Sequence, residues 1–140
     1  MRLIFISIFF LSFQYISGQA GIGEYLSIAI EFTETGKYDA AIKLCDKLEK
    51  LDPENADIYY LRGINYYLLK NYEAAIDDFD SVLKLNPDHT DAYLYRAKAK
   101  KANNNLLGAL SDYNKAKDGN FSQTVSSLAG DLIKSLISGK

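Results

Sequence analysis

Apolar side chains recur along this chain at intervals of three and four, which places them on one side of a helix. Between Asp57 and Leu69 the positions are Ile58, Tyr59, Gly63, Tyr66 and Leu69, with Arg62 set among them. Between Tyr72 and Leu85 they are Ala75, Ile76, Phe79, Val82 and Leu83. The pattern predicts two amphipathic helices that hide their stripes against each other, with small residues at Gly63 and Ala75 where the axes come closest. Pro87 cannot continue the second helix.

The same pattern returns thirty-four residues to either side. Tyr59, Tyr66, Ala75, Ile76 and Pro87 correspond to Tyr25, Phe32, Ala41, Ile42 and Pro53 upstream. Downstream, Tyr59, Arg62, Ala75, Asp78 and Phe79 correspond to Tyr93, Arg96, Ala109, Asp112 and Tyr113. A fixed period with aromatic, small and proline positions in constant relation marks a stacked array of helical pairs. None of the pairs can bury its stripe alone, so roughly three are needed. The first should run to Thr35, turn at Gly36-Lys37 and resume from Tyr38 to Leu51.

The unit resembles the tetratricopeptide repeat over about Ile22 to Asn120. The resemblance implies an all-α superhelix of three helix-turn-helix repeats, at residues 22–55, 56–89 and 90–121, the third degenerate. In that third copy Lys100 stands where Phe32 and Tyr66 stand in the others, and Phe121 replaces the closing proline. Residues 122–138 are expected to form a C-terminal capping helix: Ser122 suits its N-cap, and Val125, Leu128, Ala129, Leu132, Ile133, Leu136 and Ile137 form a narrow stripe to cover Leu106 to Ala116.

The resemblance also implies a role, that of a protein-binding scaffold whose first helices line a concave groove for an extended peptide or a helix. By position the groove residues are Leu26, Ile30 and Thr33, then Tyr60, Ile64 and Tyr67, then Leu94, Lys98 and Lys101. Some members of the family grip the C-terminal carboxylate of chaperone tails with Lys, Asn and Arg. At the matching positions this chain has Leu26, Ile30, Leu61, Asp91 and Tyr95, so that mode is disfavoured and an apolar peptide or helix is preferred.

Arg62 departs from the family pattern, in which an aliphatic residue is usual. Arg62 occurs with Asp78 and Arg96 with Asp112, whereas the first repeat has Ile28 with Leu44. Both members change together, which predicts partly buried ion pairs in repeats two and three.

Residues 1–20 are different in kind. Arg2 precedes an apolar run from Leu3 to Phe13, and Ile16-Ser17-Gly18-Gln19-Ala20 offers small residues for cleavage. This reads as a secretory signal peptide, too short to span a bilayer, and places the mature chain in a periplasm or outside the cell, with no integral span after removal.

Composition narrows the function further. The 16 basic and 18 acidic side chains leave no field to attract nucleic acid. Cys45 is the only cysteine and His89 the only histidine. Cys45 falls on a core stripe, while His89 falls in a connector and is expected to be a solvated turn residue. No metal set, catalytic dyad, phosphate loop, cofactor or small-molecule substrate is indicated, and an enzyme is a remote alternative. The expected role is a non-catalytic adaptor of the cell envelope; a periplasmic chaperone or assembly factor is the alternative, and a homo-oligomer is compatible with either.

Overall fold

The computed structural model describes residues 21–116 together with the helical residues 129–131, 133–134 and 137–138. Among them there are helices and turns and no strand. Helix α1 covers residues 21–34 and is followed by α2 (Tyr38–Leu51), α3 (Ala56–Leu68), α4 (Tyr72–Leu85), α5 (Thr90–Ala102) and α6 (Leu106–Ala116). The expected signal peptide at residues 1–20, and most of the expected cap, lie outside the described residues.

Local chemistry sets where each helix begins. The side chains of Asn55, Asn71 and Asn105 accept hydrogen bonds from the backbone N–H groups of Asp57, Ala74 and Gly108, filling vacancies in the first turns of α3, α4 and α6. At α5 the cap is His89, whose Nδ1 accepts from Ala92 N–H at 3.1 Å.

The turn inside each pair follows one design. Gly36, Lys70 and Asn104 have φ of 75°, 63° and 62°, and each is thirty-four residues from the next. All three sit in the left-handed region, where only glycine avoids a steric cost. The chain keeps that geometry even where it lacks the glycine.

Among the described residues the core lies between the helices as three clusters in series. Ala29, Cys45, Leu48, Ile58 and Leu61 join the first pair to α3. Tyr59, Ala75, Phe79, Val82, Leu83, Ala92 and Ala99 form the second cluster, and Ala97, Ala109 and Tyr113 the third. Helix α3 packs on α4 and α5 on α6, while α2 meets α3 and α4 meets α5, so α2 and α4 also touch the next pair. Fully buried Phe79 lies where Gly63 leaves room: a β-carbon on Gly63 would come within 2.9 Å of the Phe79 ring. In the neighbouring repeats the facing residues are Ala29 with Cys45 and Ala97 with Tyr113.

Two expectations are corrected here. His89 is not a solvated turn residue, because it caps α5 and its ring lies 4.8 Å from that of Tyr60, partly buried. Ile133 and Ile137, assigned to a covering stripe, are 56% and 82% exposed. Asp131 of the same segment bridges Lys101 at 2.9 Å.

Candidate functional site

The first helices of the pairs, α1, α3 and α5, present one face away from their partners. Between α1 and α3 this face opens into a cavity of about 520 Å³. Leu26, Ile30, Tyr60, Leu61 and Ile64 line it together with Gly23, Ser27, Thr33, Glu34 and Asp57. A mostly apolar recess with a few polar groups suits a partner side chain better than it suits water. Ile30 is 47% exposed although isoleucine is normally buried.

Five of the nine positions assigned to the groove line this cavity: Leu26, Ile30, Thr33, Tyr60 and Ile64. Thr33 is held in place by fully buried Asn65, whose Nδ2 donates to Thr33 Oγ1 at 2.9 Å and to the Leu61 carbonyl at 2.8 Å. Tyr67 stands further along, 5.7 Å from Tyr72 and 6.4 Å from Tyr95 between ring centroids. Lys98 extends its ammonium over Tyr95, 4.7 Å from the ring centroid. The remaining two are engaged elsewhere, Leu94 against the third core cluster and Lys101 with Asp131.

Tyr60 serves both the groove and the core. Its ring meets Phe79 at 6.0 Å and Tyr95 at 5.9 Å, edge-on in both cases, and His89 covers a further side. Burial, reinforced by the charge of Asp91, pushes its hydroxyl well above the ordinary tyrosine range, so it stays protonated. Sequence reasoning missed Leu61, Tyr95 and His89 as parts of this surface. Leu61 and Tyr95 had a signal, since both stand at positions that line the groove in the family the chain resembles.

Beneath the groove the arginines are fixed. Arg62 donates through Nε and Nη2 to both carboxylate oxygens of Asp78, and through Nη1 to Asp46 and Glu49 on α2. Arg96 treats Asp112 in the same way and reaches Asp80 on α4. Lys100, in the place of the missing aromatic, bonds Asp112 at 2.8 Å. Among the described residues no group of three or more His, Cys, Asp or Glu side chains could hold a metal ion. Cys45 is buried, and burial raises its thiol to about 12, against the opposing pull of Arg62.

Two family profiles match this helical array, one described as "Tetratricopeptide repeat" over residues 56–89 and one as "TPR repeat" over residues 31–70. The chain belongs to the tetratricopeptide-repeat family. Solved structures agree with the assignment. The first TPR of Spaghetti (RPAP3) bound to the HSP90 peptide SRMEEVD is 25% identical, with a TM-score of 0.75 over 80% of this chain and 93% of that one. The first TPR domain of human RPAP3 is 24% identical, with a TM-score of 0.78 over 84% and 96%. The TPR2B domain of yeast Sti1, in complex with an Hsp70 peptide, is 22% identical, with a TM-score of 0.69 over 76% and 91%. No curated protein matches the chain in sequence.

Proposed function

We propose that this tetratricopeptide-repeat protein is a non-catalytic adaptor of the cell envelope, exported by its N-terminal segment, which holds an extended peptide or a helix of a partner protein across α1, α3 and α5. The observation that carries the reading is the apolar cavity between α1 and α3, with Ile30 left exposed on its wall. Relatives of this fold have been solved with chaperone-tail peptides, which supports peptide binding as the general mode. The tail chemistry differs here. Leu26, Ile30 and Leu61 line the cavity, so that end of the groove offers apolar contact in place of hydrogen bonds to a terminal carboxylate.

Affinity capture from the envelope fraction tests this reading, using the wild type beside an Ile30→Asp variant. Ile30 is exposed, so its replacement should leave the thermal melt nearly unchanged. A stoichiometric partner retained by the wild type and lost from Ile30→Asp is the expected outcome. Equal retention by both would remove the groove assignment. Export is tested separately by N-terminal sequencing of the protein recovered from cells, where a new terminus after Gly18 or Ala20 is expected and an intact Met1 would contradict it.

A further inference from the structure

We propose that the groove selects a segment carrying an aliphatic side chain and, about three residues away, a side-chain carboxylate, the first entering the α1–α3 cavity and the second meeting Lys98. This rests on the groove reading above and names the chemistry of its ligand.

Ile30, Ile64 and Lys98 are each thirty-four residues apart, so they lie side by side across α1, α3 and α5. The first two are apolar and line the cavity; the third is a cation. A segment laid across the helices therefore meets hydrocarbon first and positive charge afterwards.

Lys98 also stands apart from the other cations nearby. Arg62, Arg96, Lys100 and Lys101 each have a carboxylate partner. Lys98 has none among the described residues and rests instead on the face of Tyr95. Tyr95 packs edge-on against Tyr60 and Tyr67, so the ammonium lies over an aromatic floor at the seam between α3 and α5. That floor shields one side from water, which strengthens attraction to an anion arriving from the other side. Both partly buried arginines already grip aspartates, so no guanidinium fork faces the groove for two-pronged capture of a phosphate. A single ammonium suits a single carboxylate.

Geometry supplies the spacing. Packed helices lie about 8–10 Å apart, which is roughly the distance from the cavity to the next seam, and an extended chain advances about 3.3 Å per residue. About three residues therefore separate the two anchors.

The test is an amide chemical-shift titration of the full-length protein with end-blocked ten-residue peptides. One contains Leu-Ser-Thr-Glu, the second Leu-Ser-Thr-Gln, and the third Ser-Ser-Thr-Glu, in a common Ala/Gln/Thr background. At low salt the Glu peptide should bind about three- to five-fold tighter than the Gln peptide, the range for a partly exposed ion pair. In a Lys98→Gln variant with an unchanged melt the ratio should fall to about one. Equal binding of the Glu and Gln peptides by the wild type, with shifts at Ile30 and Ile64, would overturn the carboxylate site and leave the groove standing. If the Ser peptide binds as well as the Leu peptide, or the shifts fall outside α1, α3 and α5, the groove reading itself fails and the proposal goes with it.

Discussion

Arg62 and Asp78 are joined by two parallel hydrogen bonds, Nε to Oδ2 at 2.9 Å and Nη2 to Oδ1 at 2.8 Å. The guanidinium then turns its third nitrogen back to Asp46 on α2, so one side chain ties its own pair to the preceding one. Thirty-four residues on, Arg96 binds Asp112 and turns back to Asp80, the counterpart of Asp46. The staple has defined ends. In the first repeat its two positions are Ile28 and Leu44, and the acid that a fourth arginine would seek is replaced by Asn114. The chemistry that joins neighbouring pairs is absent from both edges of the three-pair array, which disfavours head-to-tail growth into a longer stack.

The two staples differ in charge, and their response to neutralisation should differ accordingly. Around Asp78 one cation, Arg62, serves three carboxylates; burial and the fields of Glu49 and Asp46 outweigh its pull and raise the Asp78 carboxyl. At Asp112 burial also pushes upward, but the hydrogen bonds from Arg96 and Lys100 prevail and hold the carboxyl below its usual range. Asp112→Asn should therefore cost about 2–4 kcal/mol and Asp78→Asn about 1–2 kcal/mol in urea unfolding at neutral pH. The reverse order would contradict the charge balance.

The pH dependence follows from the same directions. A lowered folded-state value means that Asp112 stabilises the protein above the unfolded carboxyl value, and that this is lost as pH falls through the folded one. The gap between wild type and Asp112→Asn should accordingly close below about pH 4. Asp78, raised on folding, has the opposite sign: its contribution weakens as pH rises through its folded value. Unfolding curves of both variants from neutral to acid pH check the two trends.

Gly63 is required by Phe79. Alanine would add helix propensity worth about 1 kcal/mol, yet its β-carbon would press on a fully buried ring at 2.9 Å and on the Asp78 β-carbon at 3.2 Å. Overpacking of this kind costs about 1–3 kcal/mol, so Gly63→Ala should lower stability despite the propensity gain. A rise in melting temperature would show that Phe79 can yield.

Lys70 keeps a left-handed backbone at φ 63° where the first repeat uses Gly36 at φ 75°. Lys70→Gly should stabilise by about 0.5–1 kcal/mol through relief of that strain. Nothing lies within 4 Å of the β-carbon that Gly36→Ala would add, so that change isolates the backbone cost and should destabilise by a similar amount. Thermal melts of both variants decide it.

Much of this architecture was legible because it repeats. Tyr38 and Leu51 bound α2 as the stripe and the following proline implied, and the joint change of Arg62 with Asp78 marked two residues that meet. Cys45 was placed inward by register, and it is buried. The misreadings concern residues whose partners lie far along the chain. His89 looked like a loop residue because nothing local shows that Tyr60, twenty-nine positions earlier, supplies a ring for it to pack on. Ile133 and Ile137 have helical spacing, but spacing does not say which surface, if any, covers them.

Cys45 offers a simple check on the core. With burial raising its thiol to about 12, almost no thiolate forms at neutral pH. Iodoacetamide should leave the native protein unlabelled for hours and label it promptly in denaturant. Rapid native labelling, or a disulfide-linked dimer, would place Cys45 at the surface.

The binding face itself is tested most directly by site-specific photo-crosslinking in the protein's own cells. A benzophenone side chain at Ile30, on the cavity wall, is compared with one at Lys47, exposed on α2. The account predicts one discrete adduct from position 30 and none from position 47. An adduct from position 47 with nothing at position 30 would contradict it, because the partner would then lie on the second helices, away from the groove.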